Sequence, residues 1–350
     1  MALHCLTGAD LSRSNLNLRE ALSAVASTIY GTYEYVSLIS KVVQGETLWI
    51  TAVDEADQLA GVLPLIQRQT RFGVIANSLP FFGSHGGPNV IGGSAHVELA
   101  ILREYKNYCT SIENIAASTI IEPLKGFVND SEIVKSVLGS PTDSRISLIT
   151  DLQQLSDPVQ FMGNLPDPRP RNIRKALRLG IEVSHGNEVA RLEALHGIHI
   201  ENTARINGLI KPTIFFELLS QELPLDYWTV FTGELNGEVI AALLLLKYGL
   251  TVEYFIPAVA TEHMSTQGLS LVIFEAMKEM HKQGFEKWNW GGTWATQTGV
   301  YDFKRKWSTT ENAYKYYSTI HDPRLVKAPF SELLLDAPYF YWYPVSLGKK

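Results

Sequence analysis

Across 350 residues the chain carries 30 lysines and arginines against 36 aspartates and glutamates, a formal net charge of −6, with 45% hydrophobic residues. That length and composition support a sizeable core in each of about two domains. The acidic balance excludes wholesale coating of nucleic acid or of an anionic membrane and leaves room for a local basic site. The two cysteines, Cys5 and Cys109, make neither a disulfide framework nor a metal-ligand spacing. MALHCLTGAD has no basic stretch followed by an apolar run, and Cys5 lacks the small residues that precede a lipidated cysteine. No apolar run approaches the ~20 residues of a membrane span. A reduced, soluble, cytoplasmic protein is expected.

Short strands alternate with helices along the whole chain, which predicts an α/β or α+β architecture with mixed sheets rather than a bundle or a sandwich. In the first half a helix is predicted over 18–29, and strands over 48–53 and 60–66 joined by an acidic turn. NSLPFFGSHGGPNV, residues 77–90, is rich in glycine and proline and predicts a loop, long and aromatic for an idle connection. A helix over 97–108 and a strand over 115–121 follow. A boundary near residue 150 divides the chain into expected domains 1–150 and 151–350.

Beyond the boundary, RNIRKALRLG predicts a basic helix entered after Pro170 and ended by Gly180. Arg171, Arg174, Lys175 and Arg178 fall at i, i+3, i+4 and i+7, so they share one face with no interleaved acid, which suits an anion. A helix is predicted over 189–207. Residues 228–235 and 239–247 read as a β-hairpin, because Asn236-Gly237 supplies the positive φ angles of a two-residue turn. A strand over 251–257 leads through TEHMSTQG into a helix whose Leu269, Val272, Ile273, Ala276 and Met280 keep a 3.6 period. Gly284 stops it, and a strand over 287–290 follows.

The order hairpin, strand, glycine-containing turn, helix, strand carries chemistry. A helix N-terminus offers unpaired N–H groups and a positive dipole end, and a glycine beside it lets a phosphate approach. Here that turn is Gln267-Gly268-Leu269-Ser270. It is similar to the G-x-G/A turn of GNAT-type acyl-CoA transferases, with Ser270 where a second glycine or an alanine is usual. Glu253 and Tyr254 on the preceding strand alternate to opposite faces, so each reaches a site by a different route.

WNWGGTWATQTGVYDFKRKWSTT gathers rings and cations after a glycine break. GVYDFKRKW, together with RNIRKALRLG and SLPFFGSHGGP, resembles the Fem-type transferases, which are peptidoglycan bridge-forming aminoacyl transferases, and their GNAT-fold acyltransferase relatives. The resemblance spans about residues 30–320. It implies two tandem GNAT-like domains, the second bearing the donor site. It also implies an aromatic–lysine motif in which Phe303 packs against the donor and Lys304 stabilises the oxyanion of acyl transfer, with Arg305 beside them. The family frees the attacking amine with a carboxylate or a water beside the central strand, which Glu253 and Tyr254 occupy here; Tyr254 matches a family position that contacts substrate and ranks above Glu253.

The activity so implied is transfer of an acyl group from an activated carrier to a primary amine, by direct attack without a covalent enzyme intermediate. Acyl-CoA or an acyl carrier protein is the first expectation for the donor, because no long charged helix pair of the tRNA-dependent members is present. Aminoacyl-tRNA is the alternative donor, and a non-catalytic binding module on a degenerate double GNAT fold is another. The acceptor is a small-molecule, peptide or lipid-linked amine, with DNA excluded and a transient contact at the inner face of a membrane foreseen. No tightly bound cofactor and no metal is expected, since His196 and His199 lie close but lack partners. Neither G-x-S-x-G nor a Walker loop occurs, so His85-Gly86-Gly87 has no nucleophile elbow to serve. Ser308 stands where relatives commonly have glycine. APYFYWYPV, residues 337–345, lies outside the resemblance and is expected to pack on the body.

Overall fold

The computed structural model describes residues 2–7, 18–56, 58–71, 73–82, 86–111, 114–121, 131–206, 208–294, 296–321, 332 and 335–340. The chain divides into two compact units: Met1–Arg145 with Ala313–Lys350, and Ile146–Asn312. The second unit is therefore shorter than the expected 151–350, because the chain from Ala313 groups with the first.

In the first unit, strands β1 (Ala2–Thr7), β2 (Glu46–Val53), β3 (Leu59–Thr70), β4 (Gly73–Ser78), β6 (Asn114–Ile121) and β13 (Thr309–Ile320) lie side by side in that order, and β5 (Asn89–Val90) pairs β3. All neighbours are antiparallel except β4 and β6. A parallel pair needs a crossover, and helix α3 (Ala95–Ser111) lies on it. Ile101, Leu102, Tyr105 and Tyr108 of α3 bury against Leu48, Ile50, Leu63 and Leu65 of the sheet. Helix α1 (Leu18–Val25) stops four residues short of the expected end, and a 3-10 turn covers Ile29–Gly31. Helix α2 (Tyr33–Val42) follows, its first turn capped by Thr32 Oγ1, which accepts from Tyr35 N–H at 3.2 Å. Helix α4 (Ser131–Leu138) completes the described helices of this unit.

The glycine-rich connection between β4 and β5 is held by close backbone approach. Gly87 N–H donates to Ser78 Oγ at 3.1 Å, Phe81 N–H donates to the Tyr339 carbonyl at 2.7 Å, and Asn77 Nδ2 donates to the Phe340 carbonyl. Gly86 has a φ of +121°. Ala337 and Phe340 are buried here, so this end of the aromatic segment packs on the body. Residues 341–345 and His85 lie outside the described residues.

In the second unit the order is β7 (Asp143–Asp151), β12 (Lys287–Thr293), β11 (Thr251–Val259), β10 (Glu238–Tyr248), β9 (Trp228–Leu235), β8 (Glu182–Gly186). All pairs are antiparallel except β11 with β12. The hairpin β9–β10 turns at Asn236 and Gly237, with φ of 54° and 81°. β10 reads AALLLL because it is buried on both faces. Ala241, Leu243 and Leu245 meet the core under helices α6 (Arg169–Arg178) and α9 (Gly268–Lys282). Ala242, Leu244 and Leu246 point the other way, where helix α7 (Val189–Arg205) packs on β9, β10 and β11 and carries helix α8 (Thr213–Glu222). Helix α5 (Pro158–Asn164) precedes α6, and the short helix α10 (Thr298–Arg305) follows β12.

Candidate active site

β11 and β12 pair at only three positions, Thr251 with Lys287, Val252 with Trp288 and Glu253 with Asn289. β11 nevertheless continues to Val259 and β12 to Thr293, so the two strands diverge beyond Glu253. At the point of divergence β11 bulges: Leu244 of β10 faces Ile256 and Leu245 faces Tyr254, which leaves Phe255 as the extra residue. Tyr254, Phe255 and Pro257 keep partial exposure although the strand is central, as expected where a neighbour has left, while the hydroxyl end of Tyr254 is buried. At the far end Asn202 of α7 stands in for the missing neighbour. Its Nδ2 donates to the Val259 carbonyl at 2.6 Å, and its Oδ1 accepts from Val259 N–H at 3.1 Å.

Lys304 is in the last turn of α10, 8% exposed, and its Nζ donates to Thr293 Oγ1 at the end of β12 at 3.1 Å. Phe303 is half-buried against Trp290 and Trp307. Above its ring, 4.0 Å from the centroid, lies the guanidinium of Arg169, only 5% exposed. Arg169 Nη2 also donates to the Phe303 carbonyl at 3.1 Å. The first residue of α6 thereby fastens α10 at Phe303, next to Lys304. Tyr254 lies against Trp290, ring centroids 4.8 Å apart, and is close enough to Arg169 to feel its charge. Burial raises the Tyr254 phenol well above its ordinary range, and the Arg169 charge opposes this only in part. Burial in turn lowers Arg169. Among the described residues, Arg169 Nε and the indole N–H groups of Trp288 and Trp307 are buried without an acceptor. The cluster is thus rich in unmatched donors, the opposite of what a sealed core tolerates.

The other expected residues are placed as follows. Glu253 is buried on the face of β11 opposite Tyr254, toward α7 and α8. Arg305 turns outward to an ion pair with Asp302 at 2.6 Å. Gln267 is left-handed, with φ of 65°, and caps α9. Gly268 is buried there, and its N–H donates to Thr266 Oγ1 at 3.3 Å. Ser270 is buried one residue beyond Leu269. Ser308 has φ of 54°, which explains why glycine suits that position. The basic face of α6 is exposed as expected. Lys175 Nζ donates to the Ser265 carbonyl at 2.7 Å, and Arg171, Arg174 and Arg178 line a shallow hollow of about 430 Å³ floored by Leu177. His196 and His199 each pack on Phe216. Among the described residues Glu238, Glu262 and His263 bring three ligand atoms within 4.8 Å, on an exposed surface where such groupings are common without an ion.

Sequence reading missed Arg169, Thr293 and the tryptophan box. Arg169 sits inside DPRPRNIRK among other cations, and nothing in the letters separates the one that is buried. WNWGG did advertise the rings, but their partner Trp307 follows the cation run and reads as part of it.

Residues 170–305 match the family described as acetyltransferase (GNAT) domain. The chain is 23% identical over 110 residues to a UDP-N-acetylmuramoylpentapeptide-lysine N(6)-alanyltransferase of Weissella viridescens, a match that covers 31% of this chain and 33% of that protein. The matched segment thus spans about a third of that curated relative. The fold is similar to the crystal structure of FemX, with a TM-score of 0.70 and 14% identity over 90% of this chain and 98% of that one. It is also similar to a tandem GNAT protein from the clavulanic acid biosynthesis pathway, with a TM-score of 0.55 and 9% identity over 92% and 99% of the two chains. The C-terminal domain of a putative lysylphosphatidylglycerol synthetase from Agrobacterium fabrum has a TM-score of 0.54 and 10% identity over 94% and 98%. The chain therefore resembles Fem-type and related GNAT-fold transferases, and its architecture is two tandem GNAT-like domains.

Proposed function

We propose that this protein is an N-acyltransferase that moves an acyl or aminoacyl group from a phosphate-bearing carrier to a primary amine by direct attack. The observation that carries this reading is the divergence of β11 and β12, with Lys304 held at the end of β12. Where the strands part, the edge of β11 from Tyr254 to Pro257 has no strand partner on that side, so an extended carrier arm can lie along it. A carbonyl placed there lies between a buried cation and a protonated phenol. As the amine attacks, negative charge develops on the carbonyl oxygen, and a fixed ammonium in a water-poor site lowers that barrier by several kcal/mol. Tyr254, kept protonated by burial, serves as a hydrogen-bond donor to the oxyanion or the departing group.

The carrier's phosphates fit the N-terminus of α9 at Gln267, Gly268 and Ser270, where a phosphate oxygen is a stronger acceptor than the Thr266 hydroxyl now in use. The cationic face of α6 lies beside that turn through the Lys175–Ser265 contact, and offers Arg171, Arg174 and Arg178 to further phosphates. Coenzyme A, a carrier protein and aminoacyl-tRNA all present such phosphates. Likeness to an alanyltransferase favours an aminoacyl donor, and the lack of a long helical arm among the described residues favours a smaller one. Arg305, paired to Asp302, serves the rim. The acceptor is an amine on a small molecule, a peptide or a lipid-linked precursor. The lipid-linked case brings the protein briefly to the inner membrane surface; among the described residues no helix is long and apolar enough to cross one.

Two measurements test the reading. Purified protein is offered acetyl-CoA and alanyl-tRNA separately, with a lysine peptide as acceptor, and the product is weighed by mass spectrometry. New amide from neither donor overturns the reading. With the productive donor, Arg174→Ala combined with Arg178→Ala is expected to raise KM at least tenfold, since a charge-assisted contact contributes about 1.5–3 kcal/mol and exposure reduces it. The double variant should also flatten the salt dependence of KM. Unchanged kinetics across a salt series would remove α6 from the site.

A further inference from the structure

Lys304 can serve an oxyanion only if it is held still, and helix α10 cannot hold it alone. The eight residues Thr298–Arg305 fall short of the ~12–15 at which an isolated helix becomes even marginally stable in water. The Asp302–Arg305 ion pair lies within the helix and is exposed, so it ties α10 to nothing else. The Trp307 N–H, four residues after Phe303, goes to the Lys304 carbonyl at 3.1 Å. That leaves the Phe303 carbonyl among the orphan acceptors of a helix end. Arg169 Nη2 donates to it at 3.1 Å. The same guanidinium stands 4.0 Å from the centroid of the Phe303 ring and 5.5 Å from that of Trp307. One planar group thus grips both the ring and the carbonyl of the residue next to Lys304.

Stability does not explain why this group is an arginine. Arg169 is 5% exposed, and among the described residues no carboxylate pairs with it. Its Nε is buried without an acceptor. Enclosing a cation in this way is costly; the two rings offset part of the cost, and an apolar side chain in the same space would avoid it. Placement is the better explanation. Arg169 opens α6, whose Ile173 and Ala176 are fully buried in the core. Further along the same helix Lys175 Nζ donates to the Ser265 carbonyl at 2.7 Å, just ahead of the turn at Gln267 and Gly268. A single helix therefore joins the turn assigned to the carrier's phosphates to the residue beside the catalytic lysine.

We propose that Arg169 is a positioning residue for acyl transfer: by gripping Phe303 it fixes the last turn of α10, and with it the Lys304 ammonium against Thr293 at the end of β12. The proposal rests on the acyl-transfer reading above. Arg169 touches no reacting atom and acts through Lys304. Lysine cannot replace it, because a compact ammonium cannot cover the ring and reach the carbonyl at once.

The test is a double-mutant cycle read alongside hydrogen exchange. Wild type, Arg169→Met, Lys304→Met and the double variant are assayed with acetyl-CoA and with alanyl-tRNA, a lysine peptide serving as acceptor. Methionine keeps the rings covered, so Arg169→Met should leave KM for the carrier within about threefold. Its kcat should fall about 10–100-fold, the scale set by misplacing a catalytic group by about 1 Å. In the Lys304→Met background the same change should cost less than about threefold, because the group it positions is gone. Arg169→Lys should recover little of the loss. Melts within a few degrees of wild type are expected, since the lost hydrogen bond and the removed buried charge oppose one another; Arg169→Leu takes the place of the methionine variant if that one melts early. Exchange of the 298–305 backbone amides, followed by mass spectrometry on the whole protein, should be at least about tenfold faster in Arg169→Met. An undiminished loss in the Lys304→Met background, or full rescue by lysine, overturns the proposal. Unchanged exchange in α10 overturns it without reference to turnover. Wild type that turns over neither donor overturns the acyl-transfer reading and the catalytic role of Arg169 with it, while the exchange result still decides whether Arg169 holds α10.

Discussion

Lys304→Met is expected to lower kcat by about 10²–10³ while leaving KM for the carrier within a factor of a few. The asymmetry follows from when the interaction is made. A neutral carbonyl in the ground state draws little from an ammonium, whereas the oxyanion that forms during attack draws strongly. Removing the charge thus raises the barrier without loosening the complex. The side chain is nearly enclosed and anchored at 3.1 Å to Thr293 Oγ1, so its position is fixed before substrate arrives and methionine fills much the same space. Lys304→Arg should rescue poorly, since a planar fork in so small a space cannot put a point charge where the ammonium was. Phe303→Ala should act differently and raise KM, because it removes the ring that Arg169 covers and loosens the wall of the pocket. Steady-state kinetics with the productive carrier, alongside melts of each variant, decide the matter. A folded Lys304→Met protein with near-normal kcat would reduce the lysine to a structural group.

Gly86→Ala is the second large effect, and it concerns stability. A β-carbon on Gly86 would stand 1.8 Å from the Ser78 carbonyl oxygen and 2.5 Å from its carbon. Both are backbone atoms and cannot swing aside. The φ of +121° is in addition a region that side chains avoid. Strain and forced displacement together cost about 3 kcal/mol or more. For a unit of this size that lowers Tm by about 6–12 °C. Gly92→Ala is the matched control, because its φ is +62° and a β-carbon there meets nothing within 4 Å. It should cost only about 1 kcal/mol. Calorimetry or circular dichroism separates the two. Equal melting points would mean that the chain around Ser78 yields freely.

Local chemistry in the letters foretold some elements well. Asn236-Gly237 specified its hairpin because two positive φ angles in succession leave few other residues suitable. RNIRKALRLG specified α6 because Pro170 opens it, Gly180 ends it, and apolar Ile173 and Ala176 have to face inward. Helix α2 was not read at all: its YEYVSLISKV mixes β-branched and aromatic residues that suit a strand equally. Its cap at Thr32 becomes evident only once the preceding helix is seen to end at Val25. In the site, Phe303 and Lys304 were legible as neighbours in one motif. Arg169 and Thr293 were not, because each matters through partners outside its own stretch of sequence.

The route of the chain also sets an order of events during synthesis. β6 takes β13 as its neighbour, with Ile121 opposite Lys315 and Ala116 opposite Ile320. Between those strands the ribosome must make about two hundred residues, which at ~5–20 residues per second lasts roughly 10–40 s. All of Ile146–Asn312 is made in that interval, an unbroken segment that holds β8 to β12 whole and most of β7. The later-encoded unit can therefore finish folding first, while the earlier one waits with β6 as an open edge able to pair with other nascent chains. A stalled ribosome complex carrying the chain to Asn312 followed by a flexible linker long enough to fill the exit tunnel should show a protease-resistant second unit beside a first unit that is still cut.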